Sequence, residues 1–297
     1  MTGTHIPVCY GYQGKGNIGD NLMFLLNTHD AAAVYVKQGR SVRPSDIELS
    51  TLPYIWKLLF ADTVIFCGGN IFNVDRPRSV LKIVAFYLLV RFRKALGNQT
   101  SFRSIGVNKN TPPFVRRVAI RTILGASDAH LRENSIKSTQ IWQQTTWAHK
   151  TVTFAPDIVF TGDLDNVAQI SGFRDMAKEY EGENFAVYFP SIVARREADQ
   201  KTQAEPDAIT LPQEVTTIYV IVQALDDASI QPEFLAGKDV VTVQSGVDTM
   251  AQILALVLSA RVVVTERYHG AILAKRFGVP MITSNFSEKL RDIEMVV

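Results

Sequence analysis

The chain has 297 residues, of which 46% are apolar and 20% charged, and this composition is typical of a globular protein with sizeable cores. The formal net charge is only +2, which argues against a nucleic-acid-binding protein. The five histidines lack metal-ligand spacing and the two cysteines lie in apolar runs, so neither a metal centre nor a disulfide framework is predicted.

The first predicted strand, residues 6–10, leads into a long glycine-rich turn and then a helix. This order of elements is typical of phosphate binding, because the N–H groups at the helix start point toward the turn. Gly14, Gly16 and Gly19 fit the spacing G-x-G-x-x-G, although no Walker lysine follows. The alternative is an ordinary loop with Asp20 as the N-cap of the helix.

Two further strand ends carry candidate ligand-binding residues. Gly69 and Asn70 follow a predicted strand at 63–67, and glycine there allows close approach of a ligand or simply a tight turn. Arg132 follows a strand at 126–131 and offers a planar cation for an anion, the alternative being a surface ion pair with Glu133 or a neighbour. The remaining strands predicted in this half lie at 32–36, 104–107 and 152–155.

The segment 79–96 is strongly apolar and has basic residues within it and on both sides. Its uncharged run, 83–90, is too short to span a bilayer. The pattern favours a buried helix of an α/β domain and leaves open a helix that lies on an anionic membrane surface.

Residues 161–183 are rich in Gly, Asp and Glu and mark the predicted division into domains 1–170 and 171–297. The second domain contains predicted strands at 185–189, 218–222, 240–243 and 262–264. Strands and helices alternate in both halves, so we predict the α/β class with two Rossmann-like parallel-sheet domains facing across a cleft. The last helix is expected to end at Gly278.

A polar turn joins the strand at 262–264 to that last helix. Arg267 offers a bidentate cation and His269 a group that exchanges protons near neutral pH, both at the carboxyl end of a strand. The turn therefore predicts an anion held beside an acid/base residue. The alternative is a solvated turn in which Glu266 pairs with Arg267 or Lys275.

An ordered set of short motifs resembles the polysaccharide pyruvyl transferase family over nearly the whole chain. The motifs are Gly11-Tyr12, Gly16-Asn17-Ile18-Gly19-Asp20, Gly68-Gly69-Asn70, Leu131-Arg132-Glu133-Asn134, Ala155-Pro156-Asp157, Glu266-Arg267-Tyr268-His269 and Ser284-Asn285-Phe286-Ser287-Glu288-Lys289. The sequence departs from the family where Asn70 replaces a third glycine, and it stops soon after Lys289.

The resemblance implies a glycosyltransferase-B-like enzyme that moves a pyruvyl group from phosphoenolpyruvate to two hydroxyls of a sugar, forming a cyclic ketal. The acceptor would belong to a surface polysaccharide or exopolysaccharide, in some members lipid-linked, and no cofactor or metal is implied. The resemblance leaves open a peripheral contact with the inner membrane face. The polar start, residues 1–5, has no signal-peptide pattern, which predicts a cytoplasmic protein.

The residue roles that follow from the resemblance fall into three groups. The catalytic residues are His269 and Arg267, the donor-binding residues are Arg132, Lys289, Asn17 and Gly69, and the acceptor-binding or loop-fixing residues are Asp20 and Asn70. Asp157 is expected to orient a turn. The alternative functions are a nucleotide-sugar-dependent glycosyltransferase and a non-catalytic carbohydrate-binding or assembly protein.

Overall fold

The computed structural model forms two compact units, which together contain eleven parallel strands in the described part of the chain. Unit 1 comprises Met1–Gln13 and Leu22–Thr161, and unit 2 comprises Gly14–Asn21 and Gly162–Val297. The structure describes residues 7–11, 17–28, 35–36, 56, 58–69, 71–72, 74, 77–106, 111–132, 152–191, 209–223, 232–246 and 248–283.

Unit 1 is built on a six-stranded parallel sheet with the order β2-β1-β3-β4-β5-β6. Its strands are β1 Val8–Gly11, β2 Tyr35–Val36, β3 Thr63–Gly69, β4 Gln99–Ile105, β5 Asp128–Arg132 and β6 Val152–Ala155. Its helices are α1 Ile18–Thr28, α2 Pro77–Ala95, α3 Pro113–Gly125 and α4 Ile158–Thr161, and the first four residues of α1 are grouped with unit 2. The chain direction across the sheet reverses between β1 and β3, which is where open α/β sheets bind ligands.

Unit 2 is built on a five-stranded parallel sheet with the order β11-β10-β7-β8-β9. Its strands are β7 Phe185–Phe189, β8 Thr217–Val222, β9 Asp239–Gln244, β10 Val262–Thr265 and β11 Met281–Thr283. Its helices are α5 Phe173–Lys178, α6 Met250–Ser259 and α7 Tyr268–Phe277, with a 3₁₀ turn at Glu233–Leu235. The switch point of this sheet lies between β7 and β10.

The predicted fold class, α/β with two Rossmann-like parallel sheets, is confirmed. The central strands β7 and β10 are buried at every position, because a parallel strand covered by helices on both faces must be apolar throughout. Gly278 ends α7 in the left-handed conformation, with φ of 69°, as its position in the sequence predicted.

Two sequence predictions need correction. The strand predicted at 104–107 begins earlier, at Gln99, because buried Thr100 and Ser101 find polar partners and so break the apolar pattern of a core strand. Asp20 does not cap α1. Asn17 does, since its Oδ1 accepts a hydrogen bond from the Gly19 N–H at 3.0 Å.

Helix α2 covers residues 79–95 of the apolar segment, whose sequence pattern favours a core helix and leaves open a surface helix. Ile83, Phe86 and Val90 are buried in the core of unit 1, whereas Leu81 and Leu88 are exposed. Among the described helices, none has both the length and the apolar character needed to cross a bilayer.

Candidate active site

The starts of two helices, α1 and α7, meet in unit 2. A Cβ atom placed on Gly19 would lie only 1.8 Å from His269 Nδ1 and 2.2 Å from His269 Cε1, so the imidazole ring lies directly against the backbone of α1. The ring also contacts the Tyr268 ring edge-on, with 5.2 Å between centroids. Only glycine at position 19 is compatible with this packing.

The start of α1 is tied to the carboxyl edge of the sheet of unit 2. The Ile18 N–H donates to Oε1 of Gln223, at 3.2 Å, and Gln223 is the buried residue immediately after β8. The next N–H group, that of Gly19, donates to Oδ1 of the capping residue Asn17. The bond from Ile18 to Gln223 and the packing of His269 on Gly19 explain why residues 17–21 belong to unit 2 although they precede most of unit 1 in the sequence.

The ends of β7 and β10 are joined by polar contacts at the switch point. Glu266 is 2% exposed and its carboxylate accepts hydrogen bonds from Tyr188 Oη, at 2.7 Å, and from the Ser191 N–H, at 2.8 Å. Arg267 Nε donates to the carbonyl oxygen of Pro190 at 2.6 Å. Glu266 and Arg267 therefore anchor the chain that leaves β7, and the guanidinium plane of Arg267 is held in place.

Thr265 and Gly270 position the first turn of α7 on the strand ends. The buried Thr265 hydroxyl accepts from the Arg267 N–H at 3.0 Å and donates to the Arg267 carbonyl at 2.8 Å. A Cβ on Gly270 would lie 2.5 Å from Thr265 Oγ1 and 2.8 Å from Phe189 Cδ2. A larger residue at position 270 would push the helix start away from the sheet.

The arrangement in unit 2 favours an anion. The first hydrogen bond within α7 runs from the Ala271 N–H to the Arg267 carbonyl, so the N–H groups before it take no part in the bonding of the helix itself. The starts of α1 and α7 both carry the positive end of a helix dipole, and Arg267 adds a full charge. The His269 side chain beside them is partly exposed as a whole, its Nε2 atom is buried, and an imidazole is a group suited to acid/base chemistry.

Arg132 lies in unit 1 and has a carboxylate partner there. Its Nη1 is 2.9 Å from Asp157 Oδ2, and both side chains are nearly completely buried. Asp157 Oδ1 also accepts from the Val159 N–H at 3.0 Å, which confirms that Asp157 orients a turn. The ion pair joins the ends of β5 and β6 and fixes the direction of the guanidinium group.

The glycines predicted at the end of β3 lie at the switch point of the unit 1 sheet. Gly68 and Gly69 have φ angles of 60° and 77°, which favour glycine. A Cβ on Gly68 would lie 2.7 Å from Met23 Cβ, so α1 packs closely over this strand end. Asn70 and Lys289 lie outside the described residues, as does the motif at 284–289.

Sequence reasoning missed three residues that build the site in unit 2. Gln223 follows β8 without any local motif, and Thr265 resembles an ordinary last residue of a strand. Gly270 could have been suspected, because a glycine in the first turn of a helix suggests close packing. The structural roles of all three depend on contacts with residues that are distant in the sequence or on the opposite side of a turn.

A groove of about 810 Å³ opens at the other end of the unit 2 sheet, where β10 begins. Its lining includes Leu211, Leu258, Arg261 and Pro280. It does not include Arg267 or His269, and parallel sheets bind ligands at the carboxyl ends of their strands, so Arg267 and His269 remain the candidate site of unit 2.

Comparisons with known proteins give a family and several similar structures. The sequence matches the model of the polysaccharide pyruvyl transferase family over residues 17–285. UDP-GlcNAc 2-epimerase from Neisseria meningitidis, bound to UDP-GlcNAc, is 9% identical, with 97% of this chain and 84% of that chain covered and a TM-score of 0.49. UDP-GlcNAc 2-epimerase from Methanocaldococcus jannaschii is 11% identical, with 88% and 72% covered and a TM-score of 0.48. No curated protein gives a significant match.

Proposed function

The chain belongs to the polysaccharide pyruvyl transferase family, and from that premise we propose that it moves a pyruvyl group from phosphoenolpyruvate to two hydroxyls of a sugar, forming a cyclic ketal. The acceptor is a sugar of a surface polysaccharide or exopolysaccharide repeat unit. The observation that carries the proposal is the packing of His269 between two helix starts, beside Arg267, because this places a proton-exchanging group next to an anion site.

Arg267 and the start of α7 bind the donor in this proposal. Phosphoenolpyruvate carries a carboxylate and a phosphate, which match a guanidinium edge and backbone N–H groups. With Nε held by the Pro190 carbonyl, Arg267 presents its Nη edge in a fixed orientation, so little conformational entropy is lost on binding. The proposal includes no metal and no cofactor.

His269 acts as the acid and then the base. It donates a proton to the methylene carbon of the donor, the central carbon becomes cationic, and one sugar hydroxyl attacks it while returning a proton to the imidazole. The bond from carbon to the phosphate oxygen then breaks, and the second hydroxyl closes the ring as its proton leaves with the phosphate. One pyruvyl group is transferred and one inorganic phosphate is released.

The other predicted site residues remain part of the proposal. Arg132, oriented by Asp157, binds an anionic group of the donor. The proposal also keeps the donor-binding roles of Lys289, Asn17 and Gly69 and the acceptor-binding or loop-fixing roles of Asp20 and Asn70.

Ligand binding and turnover test the proposal together. The purified protein is incubated with phosphoenolpyruvate and a panel of lipid-linked oligosaccharides, and mass spectrometry looks for the mass gain of one pyruvyl ketal. Phosphoenolpyruvate should also raise the unfolding temperature, because it binds only the native state. Stabilisation by nucleotide sugars instead, without ketal formation, would support a glycosyltransferase and overturn the proposal.

A further inference from the structure

The side of helix α2 that points away from the sheet is apolar. Leu81, Ala85, Leu88 and Phe92 follow one another at steps of four, three and four residues, so they share one face of the helix. All four are exposed, Leu81 at 68% and Leu88 at 60%. A surface helix ordinarily presents polar residues there, so this face differs from the expected pattern.

Two aromatic residues extend the apolar face. The Phe60 ring contacts the Phe92 ring, with 5.8 Å between centroids, and the Trp56 ring contacts Phe60 at 4.5 Å. Trp56 is 65% exposed and Phe60 44%. We call the set of Trp56, Phe60, Leu81, Ala85, Leu88 and Phe92 the outer patch. A contiguous exposed patch of this kind marks a binding surface.

The buried Arg93 connects the aromatic and helical parts of the outer patch through hydrogen bonds. Its guanidinium group donates to the Leu58 carbonyl at 2.8 Å, to Thr100 Oγ1 at 3.0 Å and to the Gln99 carbonyl. Burial lowers the pKa of Arg93 to about 10, which leaves it charged at neutral pH. These bonds tie the end of α2 to the start of β4 and to Leu58, which lies between Trp56 and Phe60, so the aromatic and helical parts of the patch are fixed together.

The surroundings of the outer patch are cationic. Between residues 76 and 127 the chain has eleven Lys and Arg residues and no Asp or Glu. The whole chain, in contrast, has 31 Lys and Arg residues and 29 Asp and Glu residues. Several of these cations are exposed on α2 and α3, namely Arg91, Lys94, Arg117 and Arg121. The region therefore combines an exposed apolar face with a one-sided positive charge.

We propose that the outer patch binds the surface of an anionic phospholipid bilayer. Its apolar side chains enter the boundary between headgroups and acyl chains, and the flanking cations contact the headgroups. Two copies of the chain meeting through this face would bring like charges together, which disfavours self-association. Leu81 and Leu88 offer neither stacking nor hydrogen bonds to bases, which disfavours nucleic acid.

Co-sedimentation of the full chain with vesicles tests this inference independently of the proposed reaction. We expect binding to vesicles that contain phosphatidylglycerol and much weaker binding to pure phosphatidylcholine. Leu81→Gln with Leu88→Gln should lower the partition coefficient about ten-fold or more, and Lys94→Gln about five-fold. Val240→Gln, a substitution at an exposed apolar residue of β9, should leave the partition unchanged.

Three outcomes overturn the inference. The first is the absence of binding to phosphatidylglycerol vesicles, and the second is unchanged binding in the double leucine variant. The third is a chain that does not bind vesicles and instead forms a dimer in solution, which the leucine substitutions dissociate. Leu81 and Leu88 are largely exposed, so unchanged urea unfolding midpoints should show that the variants fold. Turnover with a water-soluble acceptor should also be unchanged, which separates failure of this inference from failure of the proposed reaction.

Discussion

Replacing Gly19 with alanine should displace His269 and lower the activity, with little effect on the stability of the fold. The new methyl group would lie 1.8 Å from His269 Nδ1, whereas ordinary contact begins at 3.4 Å, so the ring must retreat by about 1.6 Å. A displacement of about 1 Å at a reacting group can cost about 100-fold in rate. Alanine is also a better helix former than glycine, by up to about 1 kcal/mol, which offsets part of the strain in α1.

We therefore expect Gly19→Ala to lower kcat/KM for acceptor-dependent phosphate release about 100-fold with a small change in the urea midpoint. A double-mutant cycle with His269→Gln identifies the cause. If Gly19 acts through His269, adding Gly19→Ala to the His269→Gln enzyme should cost almost nothing more. Gly125→Ala, whose Cβ would lie 3.2 Å from Val90 Cγ1, is the matched control and should keep full activity. Full activity in Gly19→Ala would refute the assigned contact.

Three further substitutions test the packing of α7 in unit 2 and, in unit 1, the Arg132–Asp157 ion pair and the pKa of His130. Gly270→Ala should destabilise the chain by about 2 kcal/mol in urea unfolding, because the new methyl group overlaps buried Thr265 and Phe189; an unchanged midpoint would contradict the packing of α7. Arg132→Met should cost about 3–5 kcal/mol by leaving the buried carboxylate of Asp157 without its cation, and a loss below about 1 kcal/mol would argue against the ion pair. Burial, with a contribution from the nearby Arg103, lowers the pKa of His130 below its ordinary 6.5. The unfolded chain then binds more protons, so this contribution to stability is complete above pH 6.5 and is lost as the pH falls through the folded pKa. His130→Gln should flatten the fall in urea midpoint over that range, and an identical slope in both proteins would count against the shift.

Local signals in the sequence predicted the elements around the site. The apolar run that forms β10, the turn at Arg267 and the glycine that ends α7 each act within a few residues, so a single pass along the chain locates them. The alternation of such strands with helices was sufficient to predict two parallel sheets. The boundary of β4 was wrong because buried polar residues with partners look like a loop in the sequence.

The contacts that assemble the site could not be predicted in the same way. Ile18 and Gln223 are separated by 205 residues, and neither lies in a pattern that indicates the other. The packing of His269 on Gly19 depends on where that bond places the start of α1. Likewise, composition showed that α2 is apolar, but only its packing on the sheet shows which leucines face outward.

The most direct measurement is the rate of phosphate release from phosphoenolpyruvate, with and without acceptor, in the original protein and in His269→Gln and Arg267→Gln. We expect release that requires acceptor in the original protein and a loss of at least about 100-fold in each variant, with folding intact. His130→Gln and Arg261→Gln, which change the same residue types elsewhere in the chain, should retain full activity. Unchanged release in the His269 or Arg267 variant would contradict the account.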